Sequence, residues 1–528
     1  YVLFTANTPK TGAALYVTDG TKKGTQILRE FEGSNPGFKH FTEFAGKTFF
    51  IAYTTKGTQI WHTDGTAKGT EMYFQSSAIN GNREIDLLPF NDWLFYQNQI
   101  SEDSFYVMRV DTTLKKQEIV ARHAHGHEYA KSNFVATDNY LFYGFNDQIY
   151  RLDKNFSNLA KYFERSATAV GDVAYLYEHN NTVIWYMRES GLRTMVYAGG
   201  ETIGTHKEVE RLYGYIFFQD HAVLGKYFYY IGSQYGSGDQ VYRLNTQNLT
   251  QEDVGSTAEP YVGQQSQEVE VYKGQVYFQG LVSSDKELWK TGNSNSTTVR
   301  VSNIAADTSS RPQRLTVVDD KLYFSAYTRT GGRELWVTEG TTATTRQVID
   351  LMKGAESSDM GLSSVAFKNK LVTAAYNHQY GMELWITDGT EAGTELLMDL
   401  NTEIDYGNQQ VGTFMHAGDY MYIFANDSVS GRELWRTDGT REGTIFLDNI
   451  NIAHLPSDMS EHIEYKGQLY GTAFSFAEGL ELYTSNGTPA GSDFVTPSDL
   501  FNSSAPGNYV IDGTYFYFIG SRGFSGGP

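Results

Sequence analysis

The segment Arg122–Tyr129 places three of the chain's twelve histidines within five residues. If this segment is extended, His123, His125 and His127 point to the same side, and Glu128 could turn in to complete the shell of a transition metal. A site built from one short connection usually holds its ligands loosely, so a solvated polar loop is the alternative. These four residues are the candidate metal ligands of the chain.

Three tyrosines stand in other connections, each between an amide or carboxylate residue and a glycine: Tyr235, Tyr380 and Tyr406. An exposed tyrosine beside such groups suits stacking on a sugar ring and bonding to its hydroxyls. It suits protein contacts as well, and these tyrosines could instead brace their own loops. We take Tyr235, Tyr380, Tyr406 and the neighbouring His378 as candidate ligand-binding residues.

Acidic residues in the same kind of connection could form a cation site or a pair of hydrolase carboxylates: Glu356, Asp359, Asp405 and Asp427. A glycosidase pair needs two carboxyl groups within about 5–10 Å of each other. Sequence alone does not supply that distance. The chain has no nucleophile elbow, phosphate-binding glycine loop or His-Glu-x-x-His helix, so it carries no familiar catalytic motif.

The composition excludes several classes of protein and partner. The 528 residues contain 62 acidic and 42 basic side chains, a formal charge of −20 that would repel nucleic acid and acidic lipid. The absence of cysteine excludes disulfides, thiolate zinc sites and a cysteine nucleophile. We find no run of 18 apolar residues, so we expect no membrane insertion. Because the first residue is Tyr1, we expect a processed piece of a larger chain.

A motif of the form Glu-Leu-Trp-x-x-Asp-Gly-Thr must position these residues, because it recurs along most of the chain. Its clearest copies are Glu383–Thr390 and Glu433–Thr440. Related copies begin at Ala14, Gln59, Glu287, Glu334 and Glu481. From Trp289 through Trp336, Trp385 and Trp435 to Tyr483, the copies follow at intervals of 47, 49, 50 and 48 residues. A period in the high forties is the length of one propeller blade.

Each repeat reads as four strands, a to d, with apolar residues alternating between turns rich in Asp and Gly. In the clearest unit these are 314–318 (a), 321–326 (b), 334–338 (c) and 345–349 (d). Ten complete units fit between about Gly37 and Pro497. The leftover strands are complementary, so we expect 509–519 to share one sheet with residues 1–28.

The sequence therefore predicts an all-β fold, a β-propeller of four-stranded antiparallel blades with about eleven repeat units. We favour one large ring over 1–528, closed by the N- and C-terminal strands. Two smaller propellers, 1–255 and 256–528, are the alternative, with the least strand-like passage, 248–264, as the linker. No amphipathic helix is evident.

The motif residues have structural tasks. Asp388, Gly389 and Thr390 lie between strands c and d, where Gly supplies positive φ and the carboxylate can accept the turn's own amides. The strand-c tryptophans are wide enough to fill the wedge between neighbouring blades. Ca²⁺ at these turns is the alternative, but it needs six to eight oxygens and each turn offers few.

This pattern resembles the ELWxxDGT repeat of secreted and cell-surface proteins of bacteria, many of them large and adhesin-like. The resemblance covers 1–75 and 265–495 well and the middle poorly. It implies an extracellular or cell-surface location and a binding or scaffolding role, with no catalytic residues to carry over.

We therefore expect a secreted or cell-surface adhesion scaffold that recognises a polysaccharide, another glycan or a surface protein through the variable loops around the channel mouth. An extracellular polysaccharide lyase or hydrolase on a propeller is one alternative. A structural spacer within a larger surface protein is another. An enzyme would need an acid, a base and a substrate clamp in one pocket, whereas the candidate residues are scattered over separate blades.

Overall fold

The fold is all-β and is built of propeller-type blades. The computed structural model describes all of the chain except these residues: 1, 9–11, 19–25, 32–36, 55, 76–85, 102–103, 125–132, 146–147, 157, 165–172, 190–192, 214–215, 235–237, 257–268, 283–284, 293–297, 306–308, 361–362, 401–410, 428–429, 451–458, 476–478, 496–505, 513–514 and 521–528. Within the described part there is no α-helix, and we find no apolar helix of bilayer-spanning length. In the same described part, two short 3-10 turns interrupt the strands, Thr342–Thr344 and Pro489–Gly491.

The chain divides into two compact units. Unit 1 comprises Tyr1–Gly126 and Gln410–Pro528, and unit 2 comprises His127–Gln409. The ring over 1–528 and the alternative division near residue 255 both stay predictions.

Unit 1 contains the sheet that joins the two ends of the chain. Its strands are β1 (Val2–Thr8), β2 (Gly12–Thr18), β3 (Gln26–Glu30), β44 (Pro506–Asp512) and β45 (Tyr515–Gly520). They lie in the order β3-β2-β1-β45-β44, with β1 and β45 parallel and all other neighbours antiparallel. The prediction that the terminal strands share one sheet is confirmed.

Ten further sheets follow in the described residues between Gly37 and Phe494, each with four antiparallel strands in chain order. Those of unit 1 are β4 (Gly37–Phe44), β5 (Lys47–Thr54), β6 (Gly57–Thr63) and β7 (Glu71–Gln75); β8 (Leu87–Phe90), β9 (Trp93–Ser101), β10 (Ser104–Asp111) and β11 (Gln117–Ala124); β36 (Val411–Ala417), β37 (Tyr420–Asn426), β38 (Arg432–Thr437) and β39 (Ile445–Asp448); and β40 (Ser460–Tyr465), β41 (Gln468–Ser475), β42 (Gly479–Ser485) and β43 (Ser492–Phe494).

Those of unit 2 are β12 (Phe134–Ala136), β13 (Tyr140–Phe145), β14 (Gln148–Asp153) and β15 (Leu159–Glu164); β16 (Val173–His179), β17 (Thr182–Glu189), β18 (Arg193–Gly199) and β19 (Lys207–Tyr213); β20 (Ile216–Leu224), β21 (Tyr227–Gln234), β22 (Gly238–Asn245) and β23 (Thr250–Ser256); β24 (Val269–Tyr272), β25 (Gln275–Val282), β26 (Asp285–Thr291) and β27 (Val299–Arg300); β28 (Gln313–Val318), β29 (Lys321–Thr328), β30 (Gly332–Thr338) and β31 (Arg346–Gln347); and β32 (Ser364–Phe367), β33 (Lys370–Asn377), β34 (Gly381–Thr387) and β35 (Thr394–Met398). Ten complete units between Gly37 and Pro497, as predicted, are confirmed.

Two predicted segments need correction. The proposed linker 248–264 is wrong over its first half, because Thr250–Ser256 is the regular fourth strand β23. Strand d, expected at 345–349, is only two residues long in β31. The preceding 3-10 turn and a break in the ladder shorten it, although the Val348 N–H still donates to the Leu335 carbonyl at 2.9 Å.

Strand d carries a β-bulge opposite the motif aromatic in blade after blade. In β34 and β35, Leu384 pairs with Met398 but Trp385 pairs with Leu396, so Leu397 is the extra residue. Leu397 is buried. The same register shift occurs opposite these aromatics: Tyr16, Trp61, Tyr150, Tyr197, Tyr242 and Trp435. The bulge turns one apolar residue of the outer strand into the core and breaks the straight edge at which another chain could pair.

The core lies between neighbouring sheets, where the strand-c tryptophans pack. Trp61 contacts Phe31, which follows β3, and packs with Leu15 of the terminal sheet, while Trp385 packs with Tyr323 and Leu335 of the preceding blade. Trp289 and Trp336 likewise join clusters that span two sheets. The predicted wedge role is confirmed for these four indoles.

Candidate functional site

The turn between strands c and d closes on itself in each clear copy of the motif. Asp388 Oδ1 accepts from the Thr390 N–H at 2.8 Å and from the Thr390 hydroxyl at 2.7 Å, while Thr390 Oγ1 accepts from the Gly393 N–H at 2.9 Å. The bond from the Thr390 hydroxyl is the main cause that holds the pKa of Asp388 below its usual value. Equivalent bonds close the turns that begin at Asp64, Asp438 and Asn486.

Two glycines of this turn are required for different reasons. Gly389 has φ of +88°, which side-chain-bearing residues rarely adopt. At Gly393 a Cβ would lie 2.2 Å from Asp388 Oδ1, so any side chain would collide with the carboxylate. The expectation that Asp accepts the turn's own amides is confirmed, and this end of the blade is occupied by structural bonds.

At the other end of the blade, the glutamate of the motif holds the connection from strand d to the next strand a. Glu334 on β30 is only 1% exposed, and its carboxylate accepts from the Met352 N–H at 3.4 Å, the Ser358 N–H at 3.2 Å and the Ser358 hydroxyl at 2.5 Å. Burial is the main cause that raises the pKa of Glu334 to about 7, against the lowering effect of these bonds.

The same device recurs in three other blades. Glu287 accepts from the Ile304 and Ala305 N–H groups at 3.1 and 3.2 Å, Glu383 from the Leu400 N–H at 2.6 Å, and Glu433 from the Ile450 N–H at 2.9 Å. All three carboxylates are buried. The motif glutamate thus satisfies backbone donors of the d-to-a connection in both units.

The connection held by Glu334 presents an exposed acid–imidazole pair. Glu356 Oε2 lies 2.6 Å from Nε2 of His378, which stands in the b-to-c turn of the next blade. The two side chains are 63% and 59% exposed, so both are accessible. The Tyr376 ring meets the His378 ring edge-on with centroids 5.8 Å apart. We call Glu356, His378 and Tyr380 the loop cluster.

Tyr380 is brought to this cluster, but in a bracing position. Its ring packs against the apolar cluster around Trp385 and Tyr323, and its hydroxyl accepts from Gln379 Nε2 at 2.9 Å. The Gln379 N–H in turn donates to Asn377 Oδ1 at 2.8 Å. The tyrosine therefore fixes the turn that presents His378 and offers only part of its surface to a ligand.

Two further acidic residues that the sequence singled out are described, and they lie in different units. Asp359, in unit 2, lies near Arg333. Burial raises the pKa of Asp359, and the Arg333 guanidinium opposes that shift. Arg333 Nη1 donates to the carbonyls of Arg311 and Ser325 at 3.2 and 3.4 Å and to the Ser325 hydroxyl at 3.4 Å, so this nitrogen is engaged by Arg311 and Ser325. Asp427, in unit 1, accepts from the Ser430 N–H at 2.6 Å.

The histidine group is only partly described. His123 lies in strand β11, paired with Phe105, and not in the connection after it, which corrects the sequence interpretation. Burial lowers the pKa of His123 to about 4, which keeps the ring neutral. His125, His127 and Glu128 fall outside the described residues, as do Tyr235, Tyr406 and Asp405. Among the described residues there is no group of three or more His, Asp or Glu side chains that could hold a metal ion.

A groove of about 440 Å³ in unit 1 lies between β3 and the blade β4–β7. Trp61 and Phe31 form part of its wall, and the Arg29 guanidinium lies 5.1 Å from the centroid of the indole. Trp61 is 6% exposed, so a ligand ring could stack on it only after Arg29 moves aside.

Comparison with known proteins identifies no family for the chain. No family model matches the sequence, and no curated protein matches it. Among solved structures, the chain is similar to the tricorn protease (8% identity, TM-score 0.30, 83% of this chain and 46% of that one) and to a prolyl endopeptidase (10%, 0.30, 76% and 56%). It is also similar to the extracellular domain of a one-component system of B. thetaiotaomicron (9%, 0.30, 97% and 79%). The chain spans about half the length of the first two proteins.

Sequence reasoning missed the motif glutamate, although a signal for it was present. Successive residues of a strand face opposite sides, so Glu383 lies on the same face as Trp385, two residues later. An acid that recurs on the buried face beside each tryptophan predicts a buried carboxylate with its own donors. The backbone donors themselves are set by the irregular connection and could not be read from the sequence.

Proposed function

We propose that this chain is a binding module, in which propeller-type blades hold recognition loops at the end where strand d connects to the next strand a. The single observation that carries the proposal is the division of labour within the blade. The Asp-Gly turns and the motif glutamates are consumed by internal hydrogen bonds, whereas Glu356 and His378 are fixed side by side and remain exposed. Variable polar groups on a fixed frame are typical of binding surfaces.

The chemistry of the loop cluster suits hydroxyl-rich ligands. The carboxylate accepts, the imidazole donates or accepts, and the Gln379 amide beside them does both. These are the groups that orient a sugar through its hydroxyls, and the partly buried Tyr380 ring supplies a rigid apolar border. A glycan is therefore the occupant that we favour, and a surface protein with exposed polar groups is the second.

A glycan array tests this proposal. The purified chain should bind at least one glycan class, and His378→Ala or Glu356→Gln should weaken that binding by roughly tenfold, because a hydrogen bond to a charged group contributes about 1.5 kcal/mol or more. Asp388→Ala is the matched control. Asp388 lies in the c-to-d turn, at the end of its blade away from the loop cluster, so this variant should bind like the parent.

The array also discriminates among the alternatives. Binding that survives both loop-cluster substitutions would contradict the assignment of the site. Absence of binding to every glycan, together with failure to retain matrix or surface proteins in a pull-down, would favour the structural spacer. Release of shortened or unsaturated products from a polysaccharide panel would favour the lyase or hydrolase.

We further propose a secreted or cell-surface location within a larger chain, supported by the resemblance to ELWxxDGT proteins. Antibody labelling of intact cells that produce the full-length protein checks this. Labelling only after lysis would contradict it.

Metal content is a separate measurement. Because Asp388 Oδ1 already accepts two donors from Thr390, we expect the described turns to hold their shape without Ca²⁺. Elemental analysis of the purified chain, with thermal unfolding recorded before and after EDTA, should show an unchanged melting temperature. A fall after EDTA that Ca²⁺ alone restores would favour calcium, whereas recovery with Zn²⁺ would direct attention to the His123 segment.

A further inference from the structure

The loop cluster is held from inside the blade by a residue that no ligand could reach. We propose that Glu334 is a positioning residue, which sets the separation of Glu356 and His378 by anchoring the segment 351–360 of the d-to-a connection. This inference deepens the proposed function and rests on it, since it concerns how the same site is held in place.

The bonds of Glu334 lie on both sides of Glu356. The carboxylate accepts from the N–H of Met352, four residues before Glu356, and from the N–H and hydroxyl of Ser358, two residues after it. The carboxylate thus fixes the short segment on which Glu356 stands. A segment tied at both ends to one buried group has little freedom to move its exposed middle.

The same segment is tied to the strand that leads to His378. The Ser358 carbonyl accepts from the Tyr376 N–H at 2.8 Å, and the Leu351 carbonyl accepts from Asn377 Nδ2 at 3.2 Å. Tyr376 and Asn377 immediately precede His378. A continuous set of hydrogen bonds therefore runs from Glu334 through Ser358 to the strand that presents the imidazole.

The first residues of strand c, β30, also contact the segment that carries Glu356. The Arg333 N–H donates to Ser357 Oγ at 2.9 Å, and a Cβ on Gly332 would lie 1.9 Å from the Glu356 carbonyl oxygen. Gly332 has φ of +63°, so the chain turns sharply where it approaches Glu356 most closely. The backbone at Glu356 and Ser357 is thus packed against the start of β30.

The other blades show that anchoring is a general property of the motif glutamate. Glu287, Glu383 and Glu433 bond the corresponding connections in the same way. Within the described residues, the connection held by Glu334 is the one whose exposed acid pairs with a histidine of the next b-to-c turn. Glu433, in unit 1, is therefore a matched control that removes an anchor without touching the loop cluster.

Acylation of histidine by diethyl pyrocarbonate tests the proposal without any ligand. The reagent attacks an unprotonated ring nitrogen, so an Nε2 engaged by Glu356 should react slowly. The rate at His378 is measured by mass spectrometry relative to exposed His416, in the parent and in Glu334→Ala, Glu334→Gln, Glu356→Ala and Glu433→Ala. Glu356→Ala removes the contact altogether and so defines the largest increase in rate, expected at roughly two- to fivefold, the factor that one exposed polar contact of this kind sustains.

Glu334→Ala should reproduce most of that increase, Glu334→Gln should give an intermediate one because it keeps one acceptor oxygen, and Glu433→Ala should give none. A merely structural loss would raise labelling at many histidines, whereas the positioning role predicts a change at His378 relative to His416. If Glu334→Ala does not fold, Glu334→Gln decides the question.

Parental labelling of His378 in the foldable Glu334 variant would overturn the proposal, as would an unchanged rate in Glu356→Ala, since there would be no pair to position. An equal increase in Glu433→Ala would also overturn it. If labelling changes as expected while Glu356→Ala and the parent bind the array glycan equally, the positioning role stands and the proposed function fails.

Discussion

Gln59 and Glu383 stand two residues before a strand-c tryptophan in blades of different units, and they use that place differently. Glu383 accepts from the Leu400 N–H at 2.6 Å and so holds the connection that follows strand d. Gln59 instead accepts from the Trp61 indole N–H at 2.9 Å and donates to Gln75 Oε1 at 2.8 Å. Both blades keep the same Asp-Gly-Thr turn at the other end.

The difference shows that the side chain two residues before the tryptophan does not satisfy both the indole N–H and the backbone N–H of the d-to-a connection. In three of the described blades that carry the glutamate, the buried indole N–H groups of Trp289, Trp385 and Trp435 have no hydrogen-bond partner. In the Gln59 blade the indole is satisfied. An unpaired buried donor costs about 1–3 kcal/mol. These glutamate blades therefore leave the indole N–H unpaired but gain an ordered d-to-a connection. A propeller used as a recognition frame would favour this exchange.

The largest expected effect comes from removing an anchor. Glu334→Leu leaves the Met352 and Ser358 donors without their acceptor, and we expect a loss of about 3–4 kcal/mol in the free energy of unfolding. Urea denaturation, combined with hydrogen exchange of the segment 351–360, checks this. A loss below about 1 kcal/mol would mean that water replaces the carboxylate and that the glutamate does not define the connection.

The pH dependence of that anchor follows next in size. The pKa of Glu334 is raised to about 7, above its unfolded value, so the folded state favours the neutral carboxyl. The resulting stability is fully present below the unfolded pKa and is lost as the pH rises through about 7. Relative to Glu334→Gln, the parent should lose on the order of 2 kcal/mol between pH 4.5 and 8. Parallel pH curves for the two proteins would contradict this assignment.

Exchanging the two residues tests the comparison directly. Gln59→Glu places a carboxylate beside Gln75, where the backbone donors of a glutamate blade are not its partners, and should cost about 2 kcal/mol. Glu383→Gln keeps one acceptor oxygen for Leu400 and should cost about 1 kcal/mol. Thermal unfolding of both variants provides the measurement. If Gln59→Glu stabilised the protein, the unit 1 blade would have an unused anchor position, and the comparison would fail.

Substituting the two tryptophans should give a smaller difference in the free energy of unfolding. Trp61→Phe leaves Gln59 Oε1 without its donor, whereas Trp385→Phe removes an N–H that had no acceptor. The lost ring area is the same, so Trp61→Phe should be more destabilising than Trp385→Phe by about 1 kcal/mol. Equal losses in urea denaturation would indicate that a water satisfies the indole of Trp385.

Periodicity predicted the frame because it depends on local chemistry that every copy repeats. The spacing of the tryptophans and the Asp-Gly turns, together with the count of strand sets through the middle of the chain, was enough to place ten complete blades and to join 509–519 with the first strands. The bulge opposite Trp385 was not predictable, because Leu397 looks like any other apolar residue of an outer strand. The regular pattern therefore shows where strands lie and gives little information on where a ladder shifts.

The candidate site was less predictable, because its geometry joins two connections from neighbouring blades. His378 was singled out for its neighbours in sequence and Glu356 as one acid among several. Their 2.6 Å contact depends on the path of the segment 351–360, which Glu334 holds through backbone groups that carry no sequence signal. Residue type was enough to identify Glu356 and His378 as candidates, but their pairing could be seen only in the fold.

The smallest expected effect lies at the end of the blade that Gln59 and Glu383 have in common. The chain already contains the relevant substitution, because Asn486 stands where other copies have Asp and accepts from the Thr488 N–H and hydroxyl at 3.0 and 2.7 Å. An amide oxygen therefore closes this turn as a carboxylate does. Asp388→Asn and Asp64→Asn should each cost less than about 0.5 kcal/mol, since both retain the acceptor and lose only the charge assistance of an exposed group. Asp388→Ala, which removes the acceptor, should cost about 1 kcal/mol, as for a lost cap. If thermal unfolding showed Asp388→Asn to be as harmful as Asp388→Ala, the charge would matter more than the hydrogen bonds, and a bound cation would again have to be considered at these turns.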